Sequence, residues 1–416
     1  MKTPKPLYWL ALTAALALAF TGCKKDDDAS RPGNLTVEQT EYTLDAAEER
    51  TATVAFTAAA DWTLSVAYDD AESSADWLTV TPTSGTAGEQ TVELSAARNF
   101  RASARMAYAD IACGKQSVRL TVTQTAASDA TDFTAQFDPD FAKELQKQGI
   151  IADAGNITPE DMEKIAAITS LDVSGTEDAP GALTSLQGIE YFESLTELEC
   201  RYNQLTSLDV SRNTALMELE CQYNQLTALD VSQNTALETL FCRINQLTSL
   251  DVSRNTALTY LSCAVNELTS LDVSANTELT DLACNSNELT SLDVSRNTTL
   301  TYLDCDGNLL TSLDVSRNTA LTYLDCDDNL LPALDVSRNT ALTELYCSDN
   351  QLTSLDVSRN TALTQLYCSY NPGDGVSSFP ITAWFDNETV PTGLDVYASS
   401  WTYDGKTITI DFRKAE

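Results

Sequence analysis

Histidine is absent from all 416 residues of the chain. Without an imidazole, the protein cannot build a Ser-His-Asp or Cys-His catalytic group, or a zinc site of the HExxH type. A glycosidase that uses two carboxylates remains chemically possible, but no other feature of the sequence points to one. We therefore expect a protein that is not an enzyme and that needs no cofactor.

Positive charge is also scarce. The chain has 25 Lys and Arg residues against 61 Asp and Glu residues, which gives a net charge of −36. A surface of this sign repels nucleic acids and anionic lipids, so both are disfavoured as partners. It suits solubility, cations and basic ligands. Apolar residues make up 43% of the chain, enough for a sizeable buried core.

Long hydrophobic runs are missing except near the N-terminus. Lys2 and Lys5 precede a 14-residue apolar run from Leu7 to Phe20, which is too short to span a bilayer comfortably. Small residues then lead into Cys23. A charged segment, a short apolar run and small residues are typical of a secretory signal peptide, which we predict over residues 1–22.

The residues around Cys23 resemble the cleavage box of bacterial lipoproteins, although Phe20 stands where leucine is more usual. The resemblance implies acyl chains on Cys23 as a lipid anchor, and residues 23–33 as a lipidated tether. The run Lys24-Lys25-Asp26-Asp27-Asp28 resembles the surface-export signal of Bacteroidetes-type lipoproteins, with a plain hydrophilic tether as the alternative. We expect an outer-membrane lipoprotein exposed on the bacterial cell surface.

Residues 34–126 contain short β-rich runs between turn signals. The runs are TATVAFTA, WTLSVAY, WLTV, TVELSA and SVRLTVTQ, and Pro82 to Gly85 is one of the turns. This pattern predicts a small immunoglobulin-like β-sandwich.

The same segment resembles the BACON domain at Trp62, Trp77 to Gly85, Asn99, Arg105 and Thr121 to Gln124. The resemblance implies an association with carbohydrate-active or mucin-directed surface proteins, although such modules also serve as spacers. Trp62 and Trp77 are candidates for stacking on sugars, and their large apolar area suits a core equally well.

Residues 127–140 are polar and acidic and are predicted as a linker. Residues 141–193 are predicted as an N-terminal helical cap with a first degenerate repeat. Thr158 can cap a helix that starts at Pro159, and Glu160 and Asp161 favour its positive end. We expect this segment to cover the open end of the repeats that follow.

Cysteines recur every 21 residues from Cys200 to Cys368, each in the same local frame. The frame is Leu-x-x-Leu-x-Cys-x-x-Asn-x-Leu-x-x-Leu-Asp-Val-Ser-x-Asn-Thr-x. A fixed period predicts a repeat solenoid, because one unit cannot bury its apolar face alone and stacked units share a core. Residues 194–371 are expected to form the repeats, and residues 372–416, where the period stops, a C-terminal β cap.

This frame is the leucine-rich repeat signature, with Cys where Leu is commoner. Its 21-residue cysteine form resembles the internalin J type of adhesin and the leucine-rich lipoproteins of the Bacteroidetes type. The expected fold class is mainly β: a leucine-rich repeat solenoid of nine 21-residue repeats with an N-terminal immunoglobulin-like β-sandwich domain.

The residues that repeat without change have structural interpretations. An inward Cys between leucines behaves as a small hydrophobe, so we expect a reduced, buried ladder rather than disulfides or a zinc site. Two Asn series run from Asn203 to Asn371 and from Asn213 to Asn360, and one Asp series runs from Asp209 to Asp356. Their side chains are expected to bond to nearby backbone, with partial pairing of the Asp series to arginines.

The residues that vary lie around the second leucine and after the cysteine. Side chains alternate across a strand, so the variable strand positions point out of the sheet. Eight of the chain's 15 tyrosines lie there, and tyrosine is a rigid contact residue typical of recognition surfaces. The candidate ligand-binding residues are Tyr202, Tyr223, Phe241, Tyr260, Tyr302, Asp304, Asp306, Tyr323, Asp325, Asp327, Tyr346, Tyr367 and Tyr370.

Four of these candidates are aspartates on two neighbouring repeats, and Asp328 follows them. Their carboxylates must repel one another, and calcium or a basic patch on a partner could offset the repulsion. Asp304 opens a run like an EF-hand loop, but Val315 stands where that loop needs Glu. An exposed acidic rim screened by water is the expected arrangement, without metal.

Taken together, the residues predict a non-enzymatic surface binding protein or adhesin. The acidic, tyrosine-rich concave face of the repeats is expected to recognise a macromolecule, in particular an extracellular protein or glycoprotein with a basic patch. The alternative is glycan or mucin capture through the BACON-like domain or the tyrosine face. Membrane contact is expected through the lipid anchor alone.

Overall fold

The computed structural model describes residues 35–46, 50–68, 77–101, 103–128 and 132–416. The predicted signal peptide, the tether and Cys23 lie outside the described residues. Two hydrophobic cores are present in the described part: one lies between Tyr42 and Val122, and the other runs continuously from Ala127 to Phe412. None of the described helices has the length and apolar content to cross a bilayer.

The first core lies inside a sandwich of two sheets. Its strands are β1 (Leu35–Val37), β2 (Glu41–Leu44), β3 (Thr51–Ala58), β4 (Trp62–Tyr68), β5 (Leu78–Thr81), β6 (Ser84–Gly85), β7 (Gly88–Ala96), β8 (Arg105–Cys113) and β9 (Gln116–Gln124). One sheet has the order β1-β3-β7-β5 and the other β2-β9-β8-β4-β6. Buried and exposed residues alternate along these strands, as the sequence pattern predicts.

Both tryptophans of the sandwich belong to its core. Trp62 and Trp77 are each only 2% exposed. The Trp62 ring packs edge-on against Phe56, and the Arg105 guanidinium lies 4.6 Å from the centre of the Trp77 ring. Stacking of a sugar on either ring is therefore excluded, because neither ring presents a face to solvent.

Two short helices close the first end of the second core. They are α1 (Pro139–Lys147) and α2 (Pro159–Ala166). Thr158 and Asp161 form the capping box that starts α2. Phe133 and Phe137, inside the predicted linker, are buried, so the part of that segment from residue 132 onward packs as part of the cap. The reason is its two phenylalanine side chains, which the polar composition of the segment obscured.

The solenoid is one parallel sheet of eleven strands within residues 132–416. Its strands are β10 (Ser170–Asp172), β11 (Glu197–Glu199), β12 (Glu218–Glu220), β13 (Thr239–Phe241), β14 (Tyr260–Ser262), β15 (Asp281–Ala283), β16 (Tyr302–Asp304), β17 (Tyr323–Asp325), β18 (Glu344–Tyr346), β20 (Gln365–Tyr367) and β22 (Asp395–Tyr397). The short strand β19 (Leu355–Asp356) lies in the last repeat, outside this sheet. Neighbouring strands pair at equivalent positions of their repeats, so Leu303 lies opposite Leu324. The predicted fold class is confirmed.

The second core is a stack of identical layers. In every cysteine repeat the leucines at the strand centre, the valine of the second half-repeat and the cysteine are buried, with Leu303, Cys305 and Val315 all 0% exposed. The cysteines of the described residues are free thiols. Burial raises the pKa of Cys263 and of Cys368 to about 12, and raises the pKa of the other ladder thiols as well. The sulfurs therefore act as uncharged core atoms.

Asparagine amides hold the layers in register. The Asn308 Nδ2 donates to the carbonyl oxygens of Cys284 and Cys305, each at 3.1 Å, and its Oδ1 accepts from the Leu289 N–H at 3.0 Å. One side chain thus joins its own repeat to the preceding one. In the second Asn series, Asn318 Nδ2 donates to the carbonyls of Val294 and Asn297. The predicted backbone role of both series is confirmed.

The repeated aspartates also serve their own turns. Asp314 Oδ1 accepts from the Ser316 N–H at 2.9 Å, and the other members of the series bond in the same way. These hydrogen bonds lower the pKa of Asp314. The capping role is confirmed. After these hydrogen bonds, attraction to the following arginine also lowers the pKa of Asp209, Asp251, Asp293 and Asp335, so the expected partial pairing is present as an electrostatic interaction.

The last repeat is covered by a small second sheet. It has the order β19-β21-β24-β23, with β21 (Ser378–Ala383), β23 (Ser400–Tyr403) and β24 (Lys406–Lys414). Trp401 is buried, and its Nε1 donates to the carbonyl of Asn371, the last residue of the Asn series, at 2.9 Å. A backbone acceptor at the open end of the ladder is satisfied in this way.

We predict that Asn308→Ala destabilises the solenoid by about 2 kcal/mol, because three buried backbone groups lose their amide partner. Chemical denaturation followed by circular dichroism measures the change. Asn285→Ala is the matched control, since the half-buried Asn285 side chain makes no hydrogen bond in the described residues. Equal loss of stability in both variants would contradict the role of the ladder.

We also predict that the ladder thiols resist a thiol reagent in the native protein. Burial leaves them both inaccessible and protonated, whereas the thiolate is the reactive form. Reaction should become fast and complete in guanidinium chloride. Rapid native modification of the peptides that contain Cys242 to Cys347 would show that the core is open.

Candidate binding face

Each solenoid strand exposes two of its three residues to the same side. The central leucine is buried, while the first and third residues are half-buried in nearly every strand. We call the surface made by these first and third residues the outer face. Because the strands pair without slip, it consists of two columns in which equivalent residues lie directly side by side.

Five tyrosines form a continuous line of ring contacts on the outer face, from β16 to β22. The ring centres are 4.3 Å apart for Tyr302 and Tyr323, 5.4 Å for Tyr323 and Tyr346, 4.9 Å for Tyr346 and Tyr367, and 5.1 Å for Tyr367 and Tyr397. We call Tyr302, Tyr323, Tyr346, Tyr367 and Tyr397 the tyrosine ribbon. Its ring contacts connect five adjacent strands of the sheet.

The remaining aromatic candidates form separate groups. Phe241 and Tyr260 contact each other on β13 and β14, with ring centres 4.6 Å apart. Tyr202 and Tyr223 stack at 4.1 Å, but they lie in the turn after the strand, where the backbone has a positive φ. Tyr370 occupies the same kind of turn, is 45% exposed and makes no ring contact in the described residues.

One residue of the ribbon, Tyr397, is not among the binding residues predicted from the sequence. Tyr397 is 55% exposed and extends the line of rings by one strand. The letters Leu394-Asp395-Val396 resemble the second half of a repeat, so the segment looks like a turn rather than a strand. The signal that could have found it is the x-apolar-Tyr order of Asp395–Tyr397, which matches Glu344–Tyr346 and Gln365–Tyr367.

Acidic residues lie on the outer face near its first end and in its middle. At the first end, Glu199 and Glu220 both pair with Arg201, which neutralises part of their charge. In the middle, Asp304 on β16 lies directly opposite Asp325 on β17, and Asp306 and Asp327 follow in the same two repeats. We call these four residues the aspartate cluster.

The aspartate cluster is half-buried, not an exposed rim as the sequence predicts. The flanking tyrosine rings reduce the access of water to the carboxylates. Burial, together with the neighbouring carboxylates, raises the pKa of Asp304 and of Asp327 to about 7, and burial raises that of Asp325 to about 6. Local hydrogen bonds only partly offset this: Asp325 accepts from the Asp327 N–H at 3.0 Å and from the Tyr323 hydroxyl at 3.3 Å.

No group of acidic, cysteine or histidine side chains in the described residues converges in the way that a metal ion needs. The four aspartates lie along two parallel strands and the turns that follow them, whereas calcium takes six to eight oxygens around one point. The calcium alternative therefore has no geometric support, and the cluster is left as a line of closely spaced carboxylates.

Comparison with known proteins agrees with both parts of the fold. Residues 34–127 match the family model described as the viral BACON domain. The functional domain of InlJ from Listeria monocytogenes, which includes a cysteine ladder, is similar at 36% identity with a TM-score of 0.52. That match covers 68% of this chain and 61% of the InlJ domain, so the chain spans less than two thirds of it.

Two other leucine-rich repeat structures are more distant. The domain of APL1 shares 20% identity, with a TM-score of 0.42 over 60% of this chain and 80% of that one. The ectodomain of GASSHO1/SCHENGEN3 from Arabidopsis thaliana shares 17%, with a TM-score of 0.39 over 62% of this chain and 37% of that one. The curated proteins include no match to the chain. The chain thus joins a segment that matches the BACON model to leucine-rich repeats that are similar to the cysteine-ladder domain of InlJ.

We predict that Asp304→Asn combined with Asp327→Asn raises the melting temperature at about pH 8 by about 2 °C or more. The pKa of each carboxyl is higher in the folded than in the unfolded state, so each destabilises the fold when ionised. The wild type should therefore gain stability as the pH falls from about 8 to about 5, and the variant should gain less. Differential scanning calorimetry across this range measures both effects.

Asp314→Asn is the control, because the pKa of Asp314 lies below its ordinary value and the group stays ionised throughout this range. That variant should not be stabilised at about pH 8, and its pH slope should equal that of the wild type. A double variant less stable than the wild type at this pH would show that the aspartate cluster stabilises the fold.

Proposed function

We propose that the chain is a non-enzymatic binding protein of the cell surface that recognises a protein ligand through the outer face of its repeats. The observation that carries the proposal is the tyrosine ribbon beside the aspartate cluster. The other side of each repeat keeps the sequence Leu-Asp-Val-Ser almost unchanged and carries no tyrosine. Variation is thus concentrated on the one face that exposes large amphipathic side chains.

The chemistry of the ribbon suits a protein partner. Five strands at ~4.8 Å spacing give a contact line of about 20 Å, comparable to the width of a standard interface. Tyrosine offers apolar area and a hydroxyl with little loss of side-chain entropy on binding. The carboxylates beside it would be desolvated on contact, so the partner must bring Lys or Arg to that place.

The geometry favours a protein over a glycan at this face. Sugars stack on the open flat side of an aromatic ring, but Tyr302 and Tyr323 stack on each other at an interplanar angle of 11°. Most of the other ribbon contacts are tilted or edge-on, which leaves ring edges and hydroxyls for a ligand. Capture of a glycan or of mucin stays the second candidate, because Tyr370 and Tyr397 keep exposed rings.

The location follows from the same proposal. Cys23 would carry the lipid anchor, and the sandwich would hold the repeats away from the outer membrane of the bacterium. The similarity to the InlJ domain supports a surface role. No cofactor is required by binding of this kind.

We predict that Tyr302→Ala combined with Tyr323→Ala weakens binding to the protein ligand by about 100-fold, as expected when two aromatic contacts beside the aspartate cluster are lost. Surface plasmon resonance of the chain against extracellular-matrix proteins and mucin, at low and at physiological ionic strength, gives the measurement. Wild-type binding should weaken as salt rises, since opposite charges meet at the interface. Tyr108→Ala, a half-buried tyrosine of the sandwich, is the control.

An affinity that does not change with ionic strength and is the same in the double variant would contradict the proposal. If such binding occurs to mucin and is released by free sugar, the glycan alternative replaces it.

A further inference from the structure

A cleft of about 440 Å³ lies where the sandwich meets the cap of the repeats. The sandwich contributes Arg50, Arg98 and Arg105 to its walls, and the repeat side contributes Tyr191 and Arg212. We call this the arginine cleft. Its volume lies within the range of small-molecule sites in proteins.

Contacts between the two units fix the walls of the cleft. The Phe100 ring, from the sandwich, packs against Phe133 and Tyr191 of the cap, with ring centres 5.1 Å and 4.4 Å apart. An ion pair joins Arg101 to Glu193 across the same boundary at 3.7 Å. The cleft is thus a formed feature of the junction and places residues from distant parts of the chain together.

The charge of the arginine cleft is opposite to that of the protein. Its lining has four arginines against two glutamates, Glu190 and Glu193, in a chain of net charge −36. Both glutamates already have partners, since Glu190 accepts from the Gly188 N–H at 2.8 Å and Glu193 lies beside Arg101. Positive charge is therefore in excess within this cleft.

Several guanidinium groups of the cleft keep N–H donors without an acceptor in the described part of the chain. Arg105 is occupied, because it lies over Trp77 and donates to Gln124 and to the carbonyls of Ala97 and Arg98. Arg50 donates from Nη1 to the Ala96 carbonyl, but its buried Nε has no acceptor. Among the described residues, no carboxylate forms an ion pair with Arg50, Arg98 or Arg212.

The buried Arg50 Nε without an acceptor is costly unless a ligand completes it, and the guanidinium groups of Arg98 and Arg212 can bind a ligand without breaking an ion pair. Guanidinium forks match the oxygens of carboxylate, sulfate and phosphate groups in geometry and charge. We propose that the arginine cleft binds a small ligand that carries such an oxyanion, with the Tyr191 and Phe100 rings against its apolar part. This site is separate from the outer face, and neither proposal depends on the other.

The position of the cleft gives binding a mechanical consequence. Arg50 and Arg98 belong to the sandwich, whereas Arg212 belongs to the first cysteine repeat. A bound oxyanion would connect the two units, so it should raise the stability of the chain, and the gain should grow with the logarithm of its concentration once the site is mostly occupied.

Isothermal titration calorimetry of the chain tests the site with four probes: galactose 6-sulfate, N-acetylneuraminic acid, inorganic sulfate and neutral galactose. We expect at least one anion to bind and to raise the melting temperature, and neutral galactose to do neither. Tighter binding of the anionic sugars than of inorganic sulfate would identify an acidic sugar as the source. Equal binding would identify the free oxyanion.

Arg50→Gln combined with Arg98→Gln should weaken anion binding by about tenfold or more, because charged hydrogen bonds are lost. Arg212→Gln should also weaken it, and this exposed residue can be replaced without harm to the fold. Arg296→Gln, an exposed arginine of a later repeat, is the matched control and should bind as the wild type does. Absence of anion binding, or equal affinity in Arg212→Gln and Arg296→Gln, would overturn the proposal.

Discussion

Everything in the solenoid depends on the register between neighbouring repeats. Each repeat is too small to bury its own leucines, so its core exists only when the next repeat lies in line. The asparagine amides enforce that alignment. Each amide of the first series bonds to a carbonyl of its own repeat and to one of the repeat before it, and those of the second series bond to carbonyls of the repeat before. A slip of one residue would bury the outer face and expose the leucines.

The same register places equivalent side chains of neighbouring repeats side by side on the outer face. Tyrosines at equivalent positions contact each other, and carboxylates at equivalent positions repel each other, because neighbouring strands lie side by side without offset. The stacked rings stabilise the sheet, whereas the aspartate cluster opposes it. An uncharged residue such as threonine at those positions would avoid this repulsion, so the acids have no evident benefit for the fold.

Most of the fold could be predicted from the sequence because the repeat period determines it. The interval of 21 residues fixes the solenoid, the inward cysteines and the backbone role of the asparagines, with no need for distant contacts. Features that depend on contacts between distant segments could not be found in this way. Tyr397 joins the ribbon from beyond the last repeat, and the arginine cleft unites residues as far apart as Arg50 and Arg212. The burial of Trp62 and Trp77 and the half-buried state of the aspartates depend on neighbours that periodicity does not specify.

We propose that a partner binds to the outer face formed by this register. Hydroxyl-radical footprinting of the chain, alone and in complex with a protein ligand, locates the contact. We expect protection of Tyr302, Tyr323, Tyr346, Tyr367 and Tyr397, with no change in the half-repeats that carry Leu-Asp-Val-Ser. Protection confined to those half-repeats or to the sandwich would contradict it.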